Sequence, residues 1–223
     1  MTVQRSVLAT RIRARADMEN SNFVSTTQLN QWINDSYKEL YDILVTTFED
    51  YNVIDETFTI SSGNTFSFSS LNSTFFKLVG VDKQISGSDY ASLKPYNFNN
   101  RNRNRLIDRY NGVYPIVRYR IIGSKLYFTP DDQALGNYRI WYVPAASELT
   151  QDSDTVDGVN GWEEYIVVDC AIKCLTKEES DTADLRADLA KIRKRIDDTA
   201  LNRDVGEPER IQDVSSMDDD FYY

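Results

Sequence analysis

Between Val24 and Phe48 the apolar and aromatic positions Leu29, Trp32, Ile33, Tyr37, Leu40, Tyr41, Leu44 and Phe48 fall on one face of a 3.6-residue period. Ser25 followed by Gln28 forms a capping box ahead of this helix, with Val24 placed to staple onto Leu29. A shorter helix precedes it, marked by Val7, Leu8 and Ile12, with Arg5, Arg11, Arg13 and Arg15 on its other faces. From about Val53 to Pro144 the period drops to two. "TFTIS", "TFSFS", "FFKLVGV", "VRYRII", "KLYFTP" and "YRIWYVP" are short, β-branched or aromatic, and separated by Gly, Asn, Ser and Asp. "RIIGSKLYF" predicts a hairpin with Gly123-Ser124 in a type II′ turn. After a polar loop, "TQDSDTVDGVNG", Asn160 and Glu163 form a second capping box. "WEEYIVVDCAIKCLTK" is apolar around most of its circumference and predicts a deeply buried helix, interrupted at Ser180-Asp181. Leu185, Leu189, Ile192 and Ile196 then give a last helix a narrow packing stripe. From "RDVGEPER" onward, glycine, proline and dense charge predict an extended tail.

The fold class is therefore α+β. N- and C-terminal helices, residues 1–52 with 159–202, are expected to pack as one discontinuous bundle. An antiparallel β domain, a sandwich or small barrel, is inserted at 53–146. Residues 147–158 form a linker loop, and 203–223 an extended C-terminal tail. The reason is complementary need: the long helix has no adjacent helix able to cover its apolar stripe, and the all-round apolar helix needs several neighbours.

Charge adds detail to this plan. The net charge is −10, but its distribution is uneven. Residues 1–16 carry four arginines and no acid, and residues 99–125 carry seven basic residues against Asp108 alone. Residues 129–169 hold nine acids against Arg139. Separated islands of opposite sign favour contact with copies of the chain or with a partner protein. Arg5, Arg11 and Arg15 are candidate subunit–subunit contacts, with the acidic 129–169 stretch as their complement. The overall sign is wrong for a nucleic-acid binder.

Catalytic chemistry finds little footing. There is no histidine, Glu163 is explained as a helix cap, and Asp169 can pair with Lys173 one turn on. The glycines make no phosphate-cradling fingerprint. Asp152, Asp154 and Glu163 match three positions of an EF-hand, but Val156 and Asp157 stand at its fifth and sixth, where a ligand and a glycine belong. Cys170 and Cys174, inside an apolar helical stretch, read as reduced core filler. No enzyme activity, metal or cofactor is called for. No apolar run approaches the ~20 residues of a membrane span, and the N-terminal residues lack the uncharged stretch of a secretory signal.

Two runs remain. "NNRNRNRLIDRY" places Arg101, Arg103, Arg105 and Arg109 in a polar context. It reads as a phosphate grip, a solvated loop tip, or a contact with a neighbouring subunit or tail component; the negative whole favours the protein contact. The chain closes on Met217, Asp218, Asp219, Asp220, Phe221, Tyr222 and Tyr223. Acids alone would only solvate such a tail. Three aromatics anchor it to something, since each buries ~150–250 Å² in a pocket. A rival reading makes the β region a glycan- or receptor-binding module, with Tyr90, Tyr96 and Tyr110 stacking on sugars.

The phrases "RIRARADMENSNFVSTTQLNQWINDSYKELYDIL", "GWEEYIVVDCAIKCLTKEESD" and "NRDVGEPERI" together resemble the head-to-tail adaptor (connector) proteins of tailed bacteriophages, of the tail-tubular type. The resemblance covers both helical flanks, roughly half the chain. It implies a structural virion protein in the neck, made in the host bacterial cytoplasm. Such adaptors form a homo-oligomeric ring, commonly of twelve copies, beneath the portal protein. The ring continues the DNA channel toward the tail or nozzle component, and genomic DNA passes through without sequence-specific binding. It also implies that the C-terminal segment, here Met217 to Tyr223, reaches up to grip the portal.

Overall fold

A computed structural model describes residues 2–48, 50–100 and 117–201. The elements run β1 (Thr2–Gln4), α1 (Arg5–Arg15), α2 (Thr26–Thr47), β2 (Ile54–Ile60), β3 (Thr65–Ser67), β4 (Phe75–Ser86), β5 (Asp89–Ser92), β6 (Arg118–Ile122), β7 (Lys125–Thr129), β8 (Gly136–Pro144), β9 (Thr155–Asp157), α3 (Glu164–Lys177) and α4 (Ala183–Leu201). The α+β class is as the sequence predicts.

α2 starts where expected, because Ser25 Oγ accepts a hydrogen bond from the Gln28 backbone N–H at 3.2 Å. The Gln28 side chain does not complete the box; its Oε1 accepts from Lys177 Nζ at 2.8 Å, at the far end of α3. Ser25→Ala is expected to cost about 1 kcal/mol, the usual loss for an N-cap hydroxyl, read as a shift in denaturation midpoint at unchanged slope.

The second capping box is not there. Asn160 sits at φ 52° in a tight turn over Val159–Gly161, and Glu163 is itself the residue before α3, with helical backbone angles. Its carboxylate is drawn instead to Arg11 of α1. Past that point the reading of α3 holds. Tyr165, Ile166, Val167, Val168, Cys170, Ala171, Ile172 and Cys174 are buried, more than one face of a helix can supply. Leu8 and Ile12 of α1, Leu29, Ile33, Leu40 and Leu44 of α2, and Ile196 of α4 complete the same core, with Trp162 just ahead of α3. Each such aliphatic burial stabilises by about 1.5–3 kcal/mol. Val7, expected on the apolar face of α1, is 45% exposed, while the buried face includes Arg5 instead.

The stretch 147–158 is more than a linker loop. Its end forms β9, antiparallel to β1 with Val3 opposite Val156, and Leu149 and Val156 are buried in the helical core.

Among the described residues the β region is two antiparallel sheets and no closed barrel. Their orders are β2-β8-β4-β5 and β3-β7-β6. Both feed one core of Ile60, Val81, Tyr119, Leu126, Phe128, Tyr138, Ile140 and Tyr142, with Phe58 stacked between Phe66 and Tyr138. One side is stitched by residues 93–96: Leu93 N–H donates to Val81 O and Tyr96 N–H to Tyr119 O. The β6–β7 turn has positive φ at Gly123 (61°) and not at Ser124, the pattern a type II′ turn requires.

Candidate functional site

Three arginines were expected at a subunit boundary, and all three meet acids of their own chain. Arg5 leads α1 from inside the protein. Its Nη1 donates to Leu149 O and Thr150 O, both at 2.9 Å, and its Nη2 to Asp152 Oδ1 at 2.6 Å. From the other side Asn34 of α2 donates Nδ2 to Leu149 O at 3.1 Å and accepts the Leu149 N–H at 2.8 Å. The chain returning from the sheets is thus gripped between two helices. Arg11 reaches Glu163 Oε1 at 3.2 Å and Glu164 Oε2 at 2.5 Å. Arg15 lies 3.7 Å from Glu164 and 3.5 Å from Asp188 of α4. Within one subunit these contacts join the basic N-terminal helix to acids of the 129–169 stretch and of α4.

The carboxylates of the EF-hand-like spacing serve the same architecture. Asp152 and Glu163 face Arg5 and Arg11, and Asp154 accepts the backbone N–H groups of Gln151 and Thr150, both at 2.7 Å. Those bonds, Gln151 first, hold the Asp154 carboxyl below its ordinary value. Among the described residues no cluster of three potential metal ligands occurs.

A polar cluster crosses the α2–α3 contact. Ser36 Oγ lies 2.6 Å from Asp169 Oδ2 and accepts from Lys173 Nζ at 2.9 Å, and Lys173 pairs with Asp169 at 2.7 Å. A serine beside a lysine invites a nucleophilic reading. It fails on two counts: Ser36 is fully buried, and Lys173 stays charged. Burial opposes its charge, but the hydrogen bond and charge of Asp169 outweigh burial and raise its pKa. Such a lysine cannot take the serine proton.

Cys170, 3.2 Å from Ser36 Oγ, has its thiol pushed up to about 12 by burial, from an ordinary 9.0. The folded chain then keeps a proton that the unfolded chain releases. Stability is full below about pH 9 and falls as pH rises toward 12. Cys170→Ala is expected to flatten the loss between pH 8 and pH 10 by about 1 kcal/mol, measured from denaturation midpoints at the two pH values. Cys174, also buried and free, shifts in the same direction for the same reason.

The sugar platform is reduced. The Arg139 guanidinium lies 4.1 Å from the centre of the Tyr90 ring, Tyr96 is 7% exposed, and Tyr110 lies outside the described residues. Arg101, Arg103, Arg105, Arg109 and the segment Met217–Tyr223 also lie outside them. Three clefts are open and mostly polar, and a fourth, beside Phe68, Leu71 and Phe75, is open and more apolar. One of about 560 Å³ is lined by Asn30, Asn34, Asp35, Lys38, Glu148 and neighbours, with no converging nucleophile and base.

Surface apolar groups tell a different story. β4 carries two bulges against β8, between Phe75 and Lys77 and between Leu78 and Gly80. Their extra residues, Phe76 and Val79, are both exposed. Bulges re-aim side chains, and here they turn two large apolar groups outward, a surface suited to protein contact. Sequence reading missed Asn34, Ser36, Phe76 and Val79, because periodicity cannot report a buried polar partner or a bulge. No helix among the described residues is long and apolar enough to cross a membrane.

Among curated proteins none matches the chain. The family model of the SU10 adaptor protein matches residues 4–213, a span that takes in both helical flanks, both sheets and the arginine–asparagine run. An internally paired helical core and outward apolar groups agree with that match. The chain belongs to the SU10 adaptor protein family, and its role is that of a structural adaptor of a phage.

Proposed function

We propose that the chain is a ring-forming head-to-tail adaptor that docks beneath the capsid portal, extends the DNA channel and offers the tail its attachment site. Family membership over residues 4–213 is the observation that carries this reading. In it, residues 1–52 and 159–202 act as one bundle, and 53–146 as an insertion facing neighbouring subunits or the next tail component. Closed rings join a patch on one subunit to a different patch on the next. Arg5 is buried and occupied at home, while Arg11 and Arg15 stay partly exposed beside their acids, so the proposal keeps these two as subunit contacts together with Phe76, Val79, the arginine run 101–109 and the tail. Met217–Tyr223 is the portal anchor, its aspartates steering and its aromatics seating. A net charge of −10 also suits a channel through which DNA must slide without being held.

The test is negative-stain imaging of the full chain mixed with purified portal. A ring coaxial with the portal, commonly twelve-fold, is the expected result. Single particles beside unoccupied portals would overturn the proposal.

A further inference from the structure

The chain crosses between helices and sheets twice, outward through residues 50–53 and back through 144–149. The direct packing at this joint is small: Tyr41 and Val45 of α2 meet Val143 of β8, with Tyr51, Val53 and Ala146 at the margin. Small contacts between chain units tolerate relative motion. One hydroxyl touches both crossings. Tyr41 Oη donates to Pro144 O at 2.5 Å on the return crossing and accepts from Asn52 Nδ2 at 2.9 Å on the outward one. Its ring is held edge-on by Tyr37, Tyr51 and Phe76, at centroid separations of 6.2–6.3 Å. Three of the surrounding rings belong to three different places: α2, the outward crossing and β4.

The backbone at Asn52 is adapted to this contact. Its φ is 59°, a left-handed conformation that costs most residues about 1–2 kcal/mol and that asparagine tolerates better. That conformation accompanies the side-chain bond to Tyr41.

We propose that the Tyr41 hydroxyl is a latch that couples the two crossings and so fixes the angle between the helical core and the sheets. With both bonds made, the crossings hold as one unit. With the hydroxyl gone, each crossing moves alone, and the sheets swing on the apolar contact and on the hold of Arg5 and Asn34 at Leu149. The proposal concerns the free subunit and stands apart from the ring and portal reading.

The test is hydrogen–deuterium exchange on the full chain, comparing Tyr41→Phe with Asn52→Gly. Tyr41→Phe keeps the ring and its packing and removes both bonds. Asn52→Gly keeps the left-handed backbone at ease and removes one. Tyr41→Phe is expected to speed exchange about tenfold in peptides covering both 50–53 and 144–147, with α3 unchanged. Asn52→Gly is expected to speed it in the first peptide alone. Spin labels at Lys38→Cys and Thr57→Cys, both exposed positions, add the angular readout, since the buried Cys170 and Cys174 do not react in the folded chain. The label-to-label distance distribution is expected to broaden in Tyr41→Phe. Unchanged exchange at both crossings, a uniform rise that includes α3, or a distribution as narrow as the parent's would overturn the latch. If Tyr41→Phe does not fold, Asn52→Gly decides alone: no gain in exchange at 50–53 removes the coupling.

Discussion

A chain lacking residues 203–223 is expected to fold as before and to lose capture by the portal in a pull-down. The proposed anchor is short, and one copy is expected to bind weakly. A ring presents many copies at once, and tethering raises overall avidity by about 10²–10⁴ beyond a single contact. Deletion removes every copy together, so capture should drop below detection, while the thermal transition stays in place. The tail's two chemistries separate cleanly. Replacing Phe221, Tyr222 and Tyr223 by alanine should speed dissociation, because aromatic anchors set how long a complex lasts. Replacing Asp218, Asp219 and Asp220 by asparagine should mainly slow association and weaken its salt dependence. Undiminished capture by the truncated chain would show that the portal contact lies elsewhere.

The second large effect is expected at Arg5. Arg5→Met keeps much of the side-chain volume but leaves Leu149 O and Thr150 O without their shared donor. Asp152 is well exposed and loses little, so the ion pair deserves only a small share. Two charge-assisted bonds to backbone, in a buried setting, bring the cost to about 3 kcal/mol. In a chain of this size that corresponds to a melting temperature lower by on the order of 10 °C. Asn34→Ala is expected to cost about 1–3 kcal/mol by stranding the Leu149 N–H. Both side chains bond Leu149 O, so each single variant leaves that oxygen one donor, and the double variant should lose more than the two single losses added. Strict additivity would mean that the two grips are independent.

The helices were readable because burial imposes a period on them. α2 was placed by its stripe and its serine cap, and α3 by being apolar around most of its circumference. The two-residue period and the Gly123-Ser124 turn disclosed the strands, although nothing local distinguished two facing sheets from a closed barrel. Misreadings arose where a distant partner overrode a local motif. Glu163 looks like half of a capping box until Arg11, far off in sequence, claims its carboxylate. Arg5 looks like surface charge until the return crossing wraps its guanidinium. β1 and β9, three residues each, are too short for any periodicity to register. The Tyr41 contact combines both difficulties, since its ring fits the helix stripe and only the fold reveals what its hydroxyl joins.

The placement of α1 and α2 far from α3 and α4 in the chain has a consequence for biosynthesis. The ribosome releases the first two helices with their greasy sides bare, then spends on the order of 10 s on the intervening strands, at about 5–20 residues per second. Only afterwards do the last two helices emerge to close over them. A nascent subunit is therefore expected to complete its strand-rich middle first and its helices last, and to depend during that wait on whatever in the host shields unpaired apolar helices from one another.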